Sequence, residues 1–579
     1  MTRKLQTAQM ASQDGGFPSV HVQIPHVAFA RAGGTLTFSI LPPEWGHPGL
    51  VMRTMAAASD RREVFHLVMV RDDREVPYAV SASPTLCRLT PQDGGSGCVE
   101  ICLPEPNVVR LRGDEVILRF RSLSCGNGIY GFPLKGGAVH LNAPKHSVQY
   151  RLFPKTGELQ VNLPVHISDH ARGQKQADNE ADRKPAICAD MVPDESGRWE
   201  LTLQECGMSP GPVETADQSF DHCHACARDD WESWRQTSPD VPPGYEEAAA
   251  AAHHVNYVST VGPFNMLRRP TILMSRNWMT RCWSWDHCFN AIACAYRQPD
   301  LAWDQLNVPF DYQDAHGCLP DSVAASGIAW NFCKPPIHGW ALGKMLAANP
   351  DLLTVDRLRE FYPKLSRWTQ WWLTYRDHDG DGLCEYHHGN DSGWDNATVF
   401  DVGFPVCAPD LQAYLIVQMD MLSELAGRLG RDQEAHDWSK RADRMLDAML
   451  DRLWDGEKFQ AIRTFSGEIE TEGDCLLNCL PILLGKRLRQ DIREKLAAAL
   501  GPDGRFVSAY GPATENPRSP KYKTNCYWRG PIWGSSTTLI VDGLARSGYR
   551  EQATEVACRY CDICRKSMTF AENYDPLTG

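Results

Sequence analysis

The sequence predicts a multidomain α and β protein: an antiparallel β-sandwich over residues 1–215, a linker over 216–244, and a helical domain over 245–579 that forms an α/α toroid or an irregular bundle. Three observations predict it. Apolar and polar residues alternate with a period of two before the linker. Prolines and polar residues break both patterns within the linker, and apolar residues recur every three or four positions after it.

In the first part, Val116, Leu118 and Phe120 alternate with Ile117, Arg119 and Arg121, while Leu159, Val161 and Leu163 alternate with Gln160 and Asn162. That is the period of a half-buried strand. Residues 150–153, a Pro154-to-Gly157 turn and residues 158–161 read as a hairpin. The polar stretch 168–182 reads as an exposed loop. A second polar stretch, 207–243, ends in SPDVPP, whose prolines resist continuing either sheet or helix, so the boundary belongs there.

Helical signals follow Gly244. Segment 246–261 is alanine-rich and opens with two glutamates, which suit the positive end of a helix dipole. Trp438, Ala442, Met445, Met449 and Leu453 form one apolar stripe, and Gly430 ends the preceding helix over 411–429. Further helices are expected near 286–297, 338–347, 355–376, 490–500, 531–547 and 550–566. No strand is needed after the boundary.

With 579 residues, 42 % of them apolar and 23 % charged, a core is feasible in both parts. The formal charge of -13 disfavours nucleic acid and anionic membrane as partners. No apolar run approaches the roughly 18 residues of a membrane span, and the N-terminus has no apolar core to act as a signal peptide, so the chain reads as cytoplasmic. Two glycosylation sequons, at Asn390 and Asn396, fall where a glycan would block the proposed site, which also argues against secretion. The 21 cysteines are scattered, with close spacing only at Cys223 and Cys226 and at Cys558, Cys561 and Cys564. Neither set makes a zinc finger, and buried free thiols are expected. The motifs carry no information on oligomeric state.

Chemistry concentrates in segment 385–401, EYHHGNDSGWDNATVFD, which sets Glu385, Asp391, Asp395 and Asp401 among histidines, asparagines, glycines and Trp394. Gly389 and Gly393 make it a loop. A carboxyl beside an indole is what cleavage of a sugar bond needs, because one acid must stay protonated and pyranose rings stack on flat apolar faces. Asp395 follows Trp394, whose ring would desolvate it, so Asp395 is the expected acid, with Glu385 and Asp391 as rivals. Asp391 is expected instead to orient Asp395 or to bind a hydroxyl. The second carboxyl must come from afar, and Glu572 in FAENYDP stands among aromatics in a polar turn.

SGWDNAT, FAENYDP, WSWDHCFNA and YWRGPIW together resemble the glycosidases of glycoside hydrolase family 63, whose members include bacterial α-glucosidases and mannosylglycerate and glucosylglycerate hydrolases and whose clan includes trehalases. The resemblance spans 269–579 and implies an (α/α)6 barrel. It implies Asp395 as general acid and Glu572 as general base of an inverting hydrolase, with carboxyls about 6.5–9.5 Å apart around a water. By the same likeness Asp286, beside Trp285, forms the floor of the first sugar subsite. Arg529 donates to sugar hydroxyls or keeps the base ionised, with Trp528 and Trp533 as stacking walls and Trp285 and Trp394 as further substrate-binding residues; the core is the alternative for each indole.

Asp377, Asp379, Asp381 and Gly382 match the start of a calcium loop, but His388 stands where a bidentate Glu belongs. An Asp-rich turn is therefore expected, with calcium the lesser reading, and neither a metal nor a cofactor is expected. Members of the resembled family usually continue past FAENYDP into a closing helix, so the expectation is either a truncated sequence or a toroid without its last helix. The function expected is an exo-acting, inverting α-glucosidase on a small oligosaccharide or glucoside. The alternatives are trehalose or a glucosyl- or mannosylglycerate as substrate, and a non-catalytic carbohydrate-binding scaffold.

Overall fold

The computed structural model describes residues 20, 22–23, 26–42, 49–57, 62–123, 129–163 and 187–579. The expected loop at 168–182 lies outside them.

Two antiparallel sheets fill the N-terminal part. The first runs Phe29–Ala30, Leu36–Ile40, Leu50–Thr54, Glu63–Arg71, Ile117–Ser122, Cys188–Val192, Glu158–Val161. The second runs Tyr130–Pro133, Val139–Ala143, Val148–Thr156, Arg198–Cys206, Val108–Asp114, Cys98–Glu105, Cys87–Pro91, Tyr78–Ala82. Leu118 and Phe120 point into the core, while Arg119 turns out and meets Asp190 on the neighbouring strand at 2.7 Å. The Phe65 ring touches Phe120 in its own sheet at 6.1 Å and Tyr150 in the other at 5.6 Å, so both sheets share one apolar core.

The hairpin expected across 150–161 does not form. Val148–Thr156 pairs with Val139–Ala143 and Arg198–Cys206 in the second sheet, whereas Glu158–Val161 pairs with Cys188–Val192 in the first. Gly157, at φ 76°, is the corner where the chain changes sheets. A Cβ there would lie 2.5 Å from the Val192 carbonyl oxygen, so the glycine serves the crossing rather than a tight turn.

The stretch expected to be only a linker contains helix Phe220–Arg235, capped by the Ser219 hydroxyl, which accepts from His222 N at 3.2 Å. Its buried stripe, Phe220, Cys223, Ala227 and Trp231, is too sparse to stand out among its charged residues. Phe220 and Cys223 pack on Cys102 of the second sheet. Trp231 packs with Ala30 and with Tyr257 and Val258, so the helix ties the two parts together.

Beyond it, helices Glu246–Ser259, Asp286–Cys294, His338–Ala348, Val355–Tyr375, Pro409–Arg428, Asp432–Leu453, Gln490–Leu500, Gly534–Arg546 and Arg550–Ser567 lie close to the expected segments. The stripe from Trp438 to Leu453 is buried. Helix Pro299–Asn307, started by a proline at its first turn, was not expected, nor was the 3-10 segment Leu476–Arg487. Short strands also contradict the strand-free reading of this half. Cys282–Trp283, Ser322–Ala324 and Gly327–Ala329 form a small sheet, and Ile532–Trp533 pairs with Asn573–Tyr574. That last pair is two residues long. It nonetheless brings YWRGPIW and FAENYDP side by side, with Trp533 opposite Asn573.

Candidate active site

A cavity of about 970 Å³ opens where the short strands of the helical part meet the N-terminal part. Trp285, Asp286, Asp395, Trp528, Trp533 and Glu572 line it.

The acid-bearing loop is shaped by close approaches that only glycine allows. A Cβ on Gly389 would sit 1.9 Å from the Asp395 carbonyl oxygen, and one on Gly393 would meet the Trp285 indole at 2.7 Å. Gly393 also takes φ 72° to end the one-turn helix Gly389–Ser392. The residue after the acid, Asn396, staples the loop to the YWRG segment: its side-chain oxygen accepts from Trp528 N at 2.9 Å, and its backbone carbonyl accepts from Arg529 Nε at 2.7 Å.

Of the loop's four carboxylates, Asp395 alone lines the cavity. Glu385 accepts from His378 Nδ1 at 2.6 Å. Asp401 is held by Arg529 and by Lys521 at 2.9 Å. Asp391 accepts from Arg376 at 2.9 Å, Cys333 N at 3.1 Å and His387 N at 3.0 Å. This corrects the hydroxyl-binding expectation for Asp391, whose oxygens are spent on holding the loop. Arg529 is also corrected: its fork grips Asp401 and Asn396, and it does not line the cavity. Trp394 is fully buried, with its ring 4.5 Å from Trp528, so it supports a cavity wall from behind instead of forming one.

Trp528 and Trp533 stack at 3.8 Å and 11°, and Trp285 stands 6.4 Å from Trp528. Glu572 immediately precedes the Asn573–Tyr574 strand, and the Tyr527 hydroxyl donates to its Oε1 at 3.3 Å. Partial desolvation inside the cavity pushes the Glu572 carboxyl up although the residue is solvent-exposed, the Tyr527 hydrogen bond pulls it down, and the charge of Asp395 pushes it up. The two carboxyls thus share one cavity and feel each other, yet no hydrogen bond joins them among the described residues. Burial pushes Asp286 up to about 7, opposed by the Lys334 charge. Lys334 itself lies 3.3 Å from Asp321 and donates to the Asn390 carbonyl at 2.6 Å.

Sequence reading passed over several of these groups. Tyr527 heads YWRGPIW, so its signal was available. Asp321 and Lys334 also line the cavity but sit singly in the chain with no motif around them, and Arg281, which lines it too, lies two residues before WSWDHCFNA. The N-terminal part contributes as well. Arg53 donates to the Arg276 and Asn277 carbonyls, both at 2.9 Å, and Arg276 donates to Leu36 O at 3.0 Å. Those bonds fix the segment that carries Trp278 and Met279 to the cavity rim, beside His26.

The aspartates of the calcium-like turn lie together, with Arg452 bonded to Asp381 and 3.7 Å from Asp379. Asp377 and Asp381 accept from the backbone N–H groups of Gly382 and Leu383 at 3.1 and 2.8 Å, as in a self-bonded turn.

The chain is similar to several known proteins. A mannosylglycerate hydrolase of Rubrobacter radiotolerans is 24% identical over 389 residues, which covers 51% of this chain and 86% of that protein. The solved GH63 mannosylglycerate hydrolase of Thermus thermophilus in complex with glucose superposes with a TM-score of 0.50 at 22% identity, over 57% of this chain and 93% of that one. A bacterial glucoamylase complexed with acarbose covers 95% of this chain and 90% of its own length, with a TM-score of 0.58 at 11% identity, so the likeness of fold extends through the N-terminal sheets. The family model described as the mannosylglycerate hydrolase MGH1-like glycoside hydrolase domain matches residues 279–579, and the chain belongs to that family of glycoside hydrolases.

Proposed function

We propose that the chain is an exo-acting, inverting hydrolase of α-glycosidic bonds, with an (α/α)6 barrel as its catalytic part, Asp395 as general acid and Glu572 as general base. The observation that carries the reading is that Asp395 is the one carboxylate of its loop facing the cavity, with Glu572 in the same cavity and not bonded to it.

The chemistry follows from the positions. Asp395 gives its proton to the departing glycosidic oxygen while a water, activated by Glu572, attacks the anomeric carbon from the other side. As the C–O bond breaks, the new bond forms with inversion and the water's proton passes to Glu572. The Tyr527 hydroxyl, kept protonated by burial and by the neighbouring carboxylates, aims the Glu572 carboxylate. Asp286 accepts from sugar hydroxyls, and Trp285, Trp528 and Trp533 give the ring a flat apolar wall.

For the sugar we keep an α-glucoside of small size. A second reading, a glucosyl- or mannosylglycerate, is favoured by Arg281. It lines the cavity while donating to neutral oxygens, Ser322 Oγ at 2.9 Å and Gly327 O at 3.2 Å, which leaves its charge for an anionic aglycone. Proton NMR of the purified chain with α-glucosides, trehalose, glucosylglycerate and mannosylglycerate tests both readings. Initial release of the β-anomer is expected. Initial release of the α-anomer would refute the mechanism, and turnover of glycerates alone would select the second substrate.

A further inference from the structure

The turn that leads into the acid-bearing loop holds a constellation that hydrolysis does not use. Glu385 N donates to the Arg376 carbonyl at 2.7 Å, which folds 376–385 back on itself. Ligand atoms of His378, Glu385 and His387 thereby lie within 4.8 Å of one another, although no sequence motif joins them. His378 donates to Glu385 Oε1 from both Nδ1 at 2.6 Å and its backbone N at 3.2 Å. The His387 ring stands 4.8 Å from the His378 ring, centroid to centroid. Both imidazoles are exposed, whereas the carboxylate between them is 1% exposed.

We propose that His378, Glu385 and His387 form a binding site for a divalent transition-metal ion of the zinc type. Two imidazole nitrogens and one carboxylate oxygen are a zinc ligand set, with ligand distances of about 2.0–2.2 Å and a fourth position for water on the open side. Calcium prefers six to eight oxygens and does not suit this set. The three aspartates of the neighbouring turn are engaged by Arg452 and by their own backbone.

On binding, the Nδ1 proton of His378 is given up, to solvent from an imidazolium or by tautomer shift to Nε2 from a neutral ring, so that a neutral imidazole faces the metal. The nitrogen lone pair and Oε1 turn to the metal, and a ring nitrogen of His387 completes the protein ligands. Their supports are already in place. Glu385 Oε2 faces the Thr464 hydroxyl at 3.5 Å, and the His387 backbone N–H is fixed on Asp391 at 3.0 Å. Because Asp391 also binds Arg376, the ion would brace the base of the segment that carries Asp395.

The full chain, stripped with EDTA, is titrated with zinc chloride by calorimetry, and bound metal is counted after dialysis. One zinc per chain and a raised thermal midpoint are expected. His378→Ala and His387→Ala should each weaken zinc binding by at least about tenfold. The metal-free midpoint should hold, because both side chains are exposed. Cobalt chloride on the unmodified chain reports the ligands independently, with visible bands of nitrogen and oxygen coordination expected. Absence of saturable zinc binding, undiminished affinity in both variants, or a thiolate-to-cobalt charge-transfer band assigning the ion to cysteine would overturn the proposal. Catalytic variants are not needed, so its failure leaves the hydrolase reading untouched.

Discussion

The loop that presents Asp395 and the turn that presents Glu572 reach the same cavity by unlike means. The first is pinned from below by Asp391 on Arg376 and sideways by Asn396 and Arg529, and it is closed by two glycines that admit no Cβ. The second is held by a two-residue strand pair and two phenols, Tyr527 on Glu572 and Tyr574 on the Ala571 backbone N–H at 3.2 Å, and Glu572 itself is exposed to the cavity. On the proposed roles the difference has a reason: a proton donor must sit within hydrogen-bond reach of one oxygen, so rigidity is needed there. A base acting through a water tolerates looser support, since the water takes up small displacements.

The comparison is broken most severely by removing either carboxyl. Asp395→Asn and Glu572→Gln should each lower kcat by about 10²–10⁴ with the circular dichroism spectrum unchanged. Substrate-saturated assays check this, and near-normal rates in either variant would refute the assignment.

Next comes the loop's shape. Gly389→Ala forces the Asp395 backbone to move, and a displacement of about 1 Å costs on the order of 10² in kcat. A matching glycine-to-alanine change at exposed Gly380, where a Cβ meets nothing within 4 Å, should leave kcat within about twofold.

Arg529→Lys keeps the charge but loses the two-pronged grip on Asp401, so kcat should fall by about tenfold with KM little changed. A rise in KM with kcat preserved would restore Arg529 to a sugar-binding role.

The smallest change is on the base side. Tyr527→Phe should lower kcat by only about threefold to tenfold, in line with the loss of one hydrogen bond to a charged group that is exposed. That bond pulls the Glu572 carboxyl down. Without it the carboxyl titrates higher, and because the base must be ionised, the acidic limb of the kcat/KM profile should move to higher pH. A limb that stays put or moves to lower pH would contradict the contact.

Periodic elements were legible because burial imposes their spacing on the sequence. Helix Asp432–Leu453 and strand Ile117–Ser122 bury the residues whose period announces them. Helix Phe220–Arg235 escaped because four buried residues in a charged background give a weak stripe. The false hairpin at Gly157 has a related cause. A glycine after a proline turn reads alike whether the chain returns to its own strand or crosses to another sheet, and only Val192 and Trp199 packed around it decide. At the site, local composition marked Asp395, and the family resemblance pointed to Trp285 and Trp528. The resemblance misplaced Arg529, and the hydroxyl-binding reading of Asp391 failed, because a polar side chain's partner is a matter of three-dimensional distance.

By itself, then, the sequence determined which residue types and which periods this chain has, and so a β-rich front, a helical rear and motif segments rich in acids and indoles. Tertiary structure alone decided which of the loop's carboxylates was left without a hydrogen bond or ion pair to a side chain among the described residues. Arg376, His378, Lys521 and Arg529 each took one or shared one, and the carboxylate that remained, Asp395, faces the cavity. Hydrogen bonds and charges act over a few ångströms, and that proximity is written by the fold and not by order along the chain.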